Sequence, residues 1–266
     1  MMHMIHDAQG YSVGTITALV GSAADVQPLR EQYRAEMNCQ VVHDSIHRRQ
    51  GWTTTYRLEV DGEAAGFGSM AIAGPWTDKP TIFEFYVAPE YRSRAFDLFE
   101  ALLGTSGARF MEIQSSDALL SVMLHTYARD IVSEAIVFDD GLTTTLPSMG
   151  AELHRTMPEH VIRHCMQVCD GGPEWRLTLD GATVATGGIL FHYNRPYGDI
   201  YMDVVETHRG RGFGSYLVQE LKRIAYELGA VPGARCSPGN IASRKTLQKA
   251  GFVPCAHILD GTIVAR

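Results

Sequence analysis

The sequence predicts a tandem α+β protein, and three observations carry that prediction. "RLEVDGEAAGFGSM" from Arg57 lines up with "RLTLDGATVATGGI" from Arg176, 119 residues later. "YRSRAFD" from Tyr91 lines up with "HRGRGFG" from His208, 117 residues later. The two offsets agree within one small indel, and an internal repeat decides the fold assignment before any single element does. The third observation is the order of patterns: each copy alternates strand-like and helix-like segments in the same series.

Each "RLxxDG" segment reads as an alternating strand, a tight Asp-Gly turn and a second strand, the signature of a hairpin. In the first half a strand near Thr15–Val20 and a helix near Ala24–Asn38 precede the hairpin strands at about 52–61 and 63–73. A buried strand "TIFEFYV" follows, then a helix from about Tyr91 to Leu103, strand "RFMEIQ", a helix near Ala118–Tyr127 and strand "SEAIVFDD". The second half offers "AELHRTM", a helix near Pro158–Cys169, strands "EWRLTLD" and "ATVATGGILFH", then "DIYMDVV". It closes with a helix near Gly212–Leu228, a short strand near Gly233–Ser237, a helix near Ile241–Ala250 and "VPCAHIL". Pro158 at a helix start and Gly229 just past a helix end suit those roles. The stretch "TTTLPSMG", 143–150, reads as the linker, so the expected domains are 1–145 and 146–266.

Composition narrows the function. The 266 residues are 45% hydrophobic and 20% charged, ordinary for a soluble globular protein. A net charge of −7 without a basic block argues against a nucleic-acid partner, which needs a cationic stripe. It mildly suits an amine substrate, although a solvated acidic surface accounts for it equally. No apolar stretch has membrane-spanning length, and "MMHMIHDAQG" does not read as a signal peptide. Five unclustered cysteines, Cys39, Cys165, Cys169, Cys236 and Cys255, fit reduced thiols in a cytoplasmic protein. His160, His164, Cys165 and Cys169 in "HVIRHCMQVC" have helical ligand spacing, but no second cluster completes a four-ligand site. An amphipathic helix is the expected reading, and no metal is expected.

"ETHRGRGFGSYL", 206–217, is the informative stretch. Glycines this dense are costly in a helix, yet Phe213, Leu217, Leu221, Ile224, Ala225 and Leu228 recur at helical spacing just after them. The segment therefore sits between a strand end and a helix start. The first amides of a helix lack internal partners, and the helix dipole adds partial positive charge there. Missing Cβ atoms let a phosphate approach them, and Arg209 and Arg211 add charge at the mouth. The expected ligand is a pyrophosphate. A dinucleotide-binding turn would need its third glycine at Ser215 and an acidic residue after the next strand, near Ala234–Ser237; neither is present. A Walker loop is excluded, because no Gly-Lys-Ser/Thr follows.

"VVETHRGRGFGSYLVQELK" resembles the coenzyme A signature of the GNAT N-acetyltransferases, Gln/Arg-x-x-Gly-x-Gly/Ala, with Arg209, Gly212 and Gly214 in its places. "SPGNIASRKTLQKAGF" resembles the family's Asn-containing strand-to-helix segment. The resemblance covers 151–266; residues 1–150 share it only through the internal repeat. It implies two tandem GNAT-like domains, each a twisted mixed, largely antiparallel sheet flanked by helices, with acetyl-CoA as co-substrate. It further implies that amides near Val204 and Val205 bind the thioester and pantetheine. Amides of Arg209, Gly210, Arg211, Gly212, Phe213, Gly214 and Ser215 would hold the pyrophosphate, and Asn240 and Ser243 the pantetheine or nucleotide arm. Family members commonly carry a tyrosine general acid five residues before the "GF" phenylalanine; here that position is Leu247.

For the base, "DIYMDVV" puts Asp199, Tyr201 and Asp203 on one face, where a strand buried on both sides would be apolar. A substrate cleft floor accounts for this, as does a solvent-facing edge. Asp199 lies nearest the family's usual base position if one residue bulges, and a carboxylate can take an ammonium proton directly or through water. The hairpin "HYNRPYG", 192–198, would wall the cleft, with Arg195 available to a substrate carboxylate. In the first half the cradle reads Arg92-Ser93-Arg94-Ala95-Phe96-Asp97, without glycine and with a carboxylate in the phosphate's place, and Asp117 stands where the second half has Asn240. The first half is expected to keep the fold without the cofactor, as packing, as an acceptor wall or as the surface of a homodimer. The expected function is acetyl transfer from acetyl-CoA directly to an amine, most simply a small molecule, at one site in the second half. The alternatives are transfer of another acyl group and a non-enzymatic coenzyme A sensor.

Overall fold

The structure, a computed structural model, describes residues 14–168 and 171–264. The first half runs β1 (Ile16–Gly21), α1 (Gln27–Met37), a 3-10 turn over Asp44–Arg48, the hairpin β2 (Thr53–Val60) and β3 (Glu63–Ala71), and β4 (Thr81–Val87). It continues through α2 (Ala95–Ser106), β5 (Phe110–Gln114), α3 (Ala118–Tyr127) and β6 (Ala128–Asp140). The second half opens with β7 (Glu152–Arg155), α4 (Glu159–Val168), β8 (Glu174–Leu179), β9 (Ala182–Leu190) and β10 (Tyr197–Val204). It ends with α5 (Phe213–Glu227), β11 (Val231–Cys236), α6 (Ile241–Lys249) and β12 (Phe252–Ile263).

The repeat is visible in detail. Both hairpins turn on an Asp-Gly pair with positive φ at both residues, 54° and 85° at Asp61 and Gly62, 51° and 79° at Asp180 and Gly181. That backbone matches the twist of the flanking strands. In each half a glycine of the second hairpin strand lets the following helix approach. A Cβ on Gly68 would lie 2.4 Å from a Leu102 methyl, and one on Gly187 would lie 3.1 Å from a Leu221 methyl.

All strands join one 12-stranded sheet in the order β1-β2-β3-β4-β5-β12-β6-β11-β10-β9-β8-β7. The two halves exchange their last strands. β12 of the second half pairs antiparallel with β5 of the first, and β6 of the first pairs antiparallel with β11 of the second. β6 and β12 also pair with each other, from Phe252 opposite Asp140 to Ile263 opposite Ala128. Packing follows the exchange: Ile136 and Phe138 of β6 lie in the core of the second half, and Leu259 and Ile263 of β12 pack on the core of the first. Burying side chains of this size contributes about 1.5–3 kcal/mol each, so the exchanged strands tie the halves together.

In both halves the middle of the sheet forks. β10 and β11 run parallel and pair only from Tyr197–Val231 to Ile200–Ala234. β4 and β5 pair only at Thr81–Phe110 and Ile82–Met111. The bulge allowed for beside Asp199 does not occur, because the β9–β10 ladder is regular from Asp199 to Val204. It lies instead in β4, where Ser69 faces Glu84 and Met70 faces Ile82, leaving Phe83 over. Among the described residues no helix is long and apolar enough to cross a membrane.

Candidate active site

At the fork of the second half, β10 ends, the chain makes the Gly-rich turn, and α5 begins at Phe213 with Gly212 as its N-cap. Among the described residues no side chain caps this helix. Its first backbone bond runs from the Tyr216 amide to the Gly212 carbonyl, which leaves the amides of Phe213, Gly214 and Ser215 without a helical acceptor. They open on a cavity of about 550 Å³ between α5, α6 and the end of β10. The glycines are needed for two different reasons. Gly210 and Gly212 have φ of 75° and 95°, a region that L side chains rarely adopt. Gly214 is required by packing: a Cβ there would lie 3.1 Å from Val204 Cγ2 and 3.3 Å from Thr246 Cγ2.

Val204, Arg209, Gly210, Gly212, Phe213, Gly214, Ser215, Asn240 and Ser243 all line this cavity, as expected from sequence. Val205 and Arg211 do not. Arg211 stacks over the Phe213 ring, 5.2 Å from its centroid. The Val205 amide donates to the Val184 carbonyl at 3.0 Å, which corrects the expectation that both strand-end amides face the thioester. Amide direction alternates along an antiparallel strand, so Val204 and Met202, rather than Val205, point theirs into the fork. Arg209 Nε donates to the Val204 carbonyl at 3.0 Å, and its guanidinium lies 3.8 Å from Asp203, so it also closes the end of β10. Asn240 Oδ1 accepts from the Ser243 amide at 2.9 Å and caps α6. Leu247 is 2% exposed in the core, and Thr246 takes the cavity side of α6 in its place.

The sequence reading missed Lys245 and Lys249, which line the cavity from α6, and Lys249 Nζ would lie 3.9 Å from a Cβ on Gly212. Their i,i+4 spacing, on the helix that follows Asn240, was the available signal.

Of the three residues expected on the chemistry face, only Asp203 lines the cavity, with its side chain 80% exposed. Tyr201 is at the edge of exposure and leans over Gly188; burial and nearby Glu174 push its phenol pKa up. Asp199 is buried. Its Oδ2 lies 3.0 Å from His192 Nε2 and 3.3 Å from Arg235 Nε. Arg235 is one residue past Ala234, the last β11 residue paired to β10, so this cluster stands at the crotch of the fork. Burial opposes the charge of Arg235, but Tyr193 and Asp199 outweigh it and hold its pKa up. Arg195 is engaged elsewhere, donating to the carbonyls of Met166 and Gln167 at the end of α4. Of the His160, His164, Cys165 and Cys169 set, Cys169 lies outside the described residues. Among the described residues no three metal-ligating side chains converge.

Residues 146–252 match the model of the acetyltransferase (GNAT) family. The match lies wholly in the second half, a GNAT-like domain. Similar solved structures extend the likeness in fold over both halves. An acetyltransferase of the GNAT family from Colwellia psychrerythraea has a TM-score of 0.70 at 14% identity, covering 94% of this chain and 100% of that one. A GCN5-related N-acetyltransferase from Sphaerobacter thermophilus has a TM-score of 0.60 at 14% identity, covering 94% and 96%. A tandem GNAT protein from the clavulanic acid biosynthesis pathway, solved without acetyl-CoA, has a TM-score of 0.57 at 13% identity, covering 93% and 98%. No curated protein sequence matches. The cradle and fork lie inside the matched segment.

In the first half the same architecture ends differently. Arg92 Nε donates to the Val87 carbonyl at 3.3 Å, as Arg209 does to Val204, but its guanidinium is paired with Glu36. Asp97, in the first turn of α2, is held by Arg94 at 2.8 Å. Asp117 Oδ1 accepts from the Leu120 amide at 2.9 Å, the cap that Asn240 makes in the GNAT domain.

Proposed function

We propose that the protein transfers an acetyl group from acetyl-CoA directly to the amine of a small molecule, at a single site in the domain 146–266. Residues 1–145 form a copy that keeps the fold without a cofactor cradle. The observation that carries this reading is the set of amides at Phe213, Gly214 and Ser215 that have no acceptor among the described residues, open to a cavity that Lys245 and Lys249 also line. A helix start of this kind binds a pyrophosphate, and two lysines suit the further phosphate charge of coenzyme A. The Met202 and Val204 amides face the fork, where the thioester would lie. A preorganised amide there stabilises the oxygen on which charge develops as the amine attacks. Acetyl-CoA supplies the acyl group and a thiol that leaves readily. That chemistry tolerates the absence of a side-chain acid at Leu247.

Isothermal calorimetry with acetyl-CoA tests the cradle, with one site per chain expected. Thiol release on adding an amine library tests the transfer. The buried Leu247 favours a second reading, a coenzyme A sensor, which predicts binding without thiol release for any amine.

A further inference from the structure

A second cavity, also about 550 Å³, lies between the two halves on the sheet face opposite α5. His192 and Arg235 of the GNAT domain form one side of it. The segment from Val42 to Arg49 and the tryptophans Trp52 and Trp76, all of the first half, form the other. The segment is fastened to the GNAT domain beside the cavity: the Val41 amide donates to Asn194 Oδ1 at 2.6 Å, and Asn194 Nδ2 donates to the Cys39 carbonyl at 3.2 Å. Arg235 carries the cavity to the crotch of the fork, where a thioester lying between β10 and β11 would emerge.

The side chains have a definite chemistry. Trp52 and Trp76 meet with ring centroids 6.4 Å apart at 75°. The cations are engaged: Arg49 stacks over Trp52, Lys79 pairs with Asp260 at 2.9 Å, and Arg235 pairs with Asp199. Glu112 is matched as well, by His43 at 2.8 Å and by the Trp76 indole at 3.0 Å, which hold its carboxyl down at about 2 despite burial. Glu134 makes no hydrogen bond or ion pair among the described residues and faces the cavity. A carboxylate without a cationic partner among the described residues therefore stands beside aromatic surface.

We propose that this inter-half cavity binds the acceptor, a primary amine with a flat apolar body and no acidic group, and that His192 takes the amine's proton. His192 Nε2 faces the Asp199 carboxylate and so carries hydrogen, which leaves Nδ1 with the free lone pair. Asp199 is then a positioning residue that fixes the tautomer and steadies the charged ring. One ammonium proton passes to His192, and the amine nitrogen bonds the acetyl carbonyl carbon. The carbon–sulfur bond breaks, and the second amine proton leaves with the thiolate as free coenzyme A thiol. His192 returns its proton to water. The first half thereby gains a function of its own, since it supplies the acceptor's walls.

This inference rests on the acyl-transfer reading, and the experiment separates the two. Tryptamine and phenethylamine are compared with tryptophan and phenylalanine as acceptors, by thiol release at saturating acetyl-CoA. The amines are expected to be turned over at least about 10-fold more efficiently than the acids, since an unmatched carboxylate beside Glu134 is disfavoured. Trp52→Ala should raise KM for tryptamine about 10-fold with kcat nearly kept, the loss of one aromatic contact. His192→Gln should lower kcat about 100-fold, the lower range for general base catalysis. Asp199→Asn should lower kcat as well, and the double variant should lose little more than His192→Gln alone. All variants should bind acetyl-CoA with unchanged affinity. A parent protein that does not bind acetyl-CoA overturns the acyl-transfer reading. One that binds it but turns over neither amine, or whose turnover survives His192→Gln, overturns the cavity.

Discussion

The turns at 92–97 and 209–214 begin alike and end differently. Each follows a central strand that forks from its neighbour, and each sends an arginine back to the strand's last carbonyl. The frame is therefore common property of the repeat. Beyond the arginine, the GNAT domain has glycines at Gly210 and Gly212 in the left-handed region, and amides turned to open space. The first half has Ser93 and Ala95 at these places and goes into a tight 3-10 turn over Pro89–Arg94. A fold can thus be kept by packing contacts such as Leu102 on Gly68 and Leu221 on Gly187, while the shape of the turn depends on the φ values at Gly210 and Gly212 and on the space beside Gly214.

The largest expected effect comes from undoing the strand exchange that joins the halves. Residues 146–266 expressed alone lack β6, so β11 becomes an open edge and Ile136 and Phe138 leave the core. The fragment should fail to give a folded monomer by circular dichroism and size-exclusion chromatography. Addition of residues 1–145 should restore one. A stable monomeric fragment would mean that the exchange is incidental.

Next is Gly214→Asp, which copies Asp97 into the working cradle. The side chain meets Val204 and Thr246, and its charge stands where phosphate oxygens approach, a repulsion on the order of several kcal/mol when partly desolvated. Acetyl-CoA affinity by calorimetry should fall at least 100-fold, roughly the free-energy equivalent of 2.7 kcal/mol. Asp97→Gly in the first half should leave the stoichiometry at one, because the 3-10 turn remains. A second bound equivalent would break the comparison.

A smaller effect is expected at Leu247, where the family resemblance expects a tyrosine acid. Tyrosine there must displace core packing, at a cost of about 1–3 kcal/mol for overpacking, without reaching the cavity that Thr246 lines. Leu247→Tyr should lower Tm and change turnover by less than about the 100-fold typical of an effective general acid.

The smallest concerns the two helix caps, Asp117 and Asn240. Burial pushes the Asp117 carboxyl up to about 6 from its usual 3.8. The folded state therefore binds its proton more tightly, and ionised Asp117 costs stability at pH 7. That cost fades as pH falls from about 6 toward 4. Asp117→Asn keeps the cap, as Asn240 does, without the buried charge. Tm should rise by about 2–4 °C at pH 7, and the gain should shrink toward pH 4. An equal gain at both would refute the role given to burial.

Much of this was legible because it is local. The Asp-Gly turns, the hairpins, the apolar spacing of α5 and the Asn240 cap are set by residues within a few positions of one another. The glycine cradle was legible for the same reason, although the reason for Gly214 was not, since its neighbours come from β10 and α6. Lys245 and Lys249 carried their signal only in a helical spacing that many surface lysines share. His192 sat in a hairpin already expected to wall the cleft, but its pairing with Asp199 depends on how β9 returns into β10.

The sequence by itself determined that one unit is written twice and that the glycines of the turn before α5 stand in its second copy alone. Those are properties of short stretches and of their recurrence. Only the tertiary structure decided which strand closes which half. "ARDIVSE", at the start of β6, looks too polar for a central strand, with Asp130 at a φ of 55°. It becomes one because β12 pairs along its length and Ile136 and Phe138 find the other half's core. Pairing between residues more than 100 positions apart, such as Phe252 with Asp140, is chosen by the burial it completes, and no local pattern encodes that choice. The cavity between the halves follows from the same exchange.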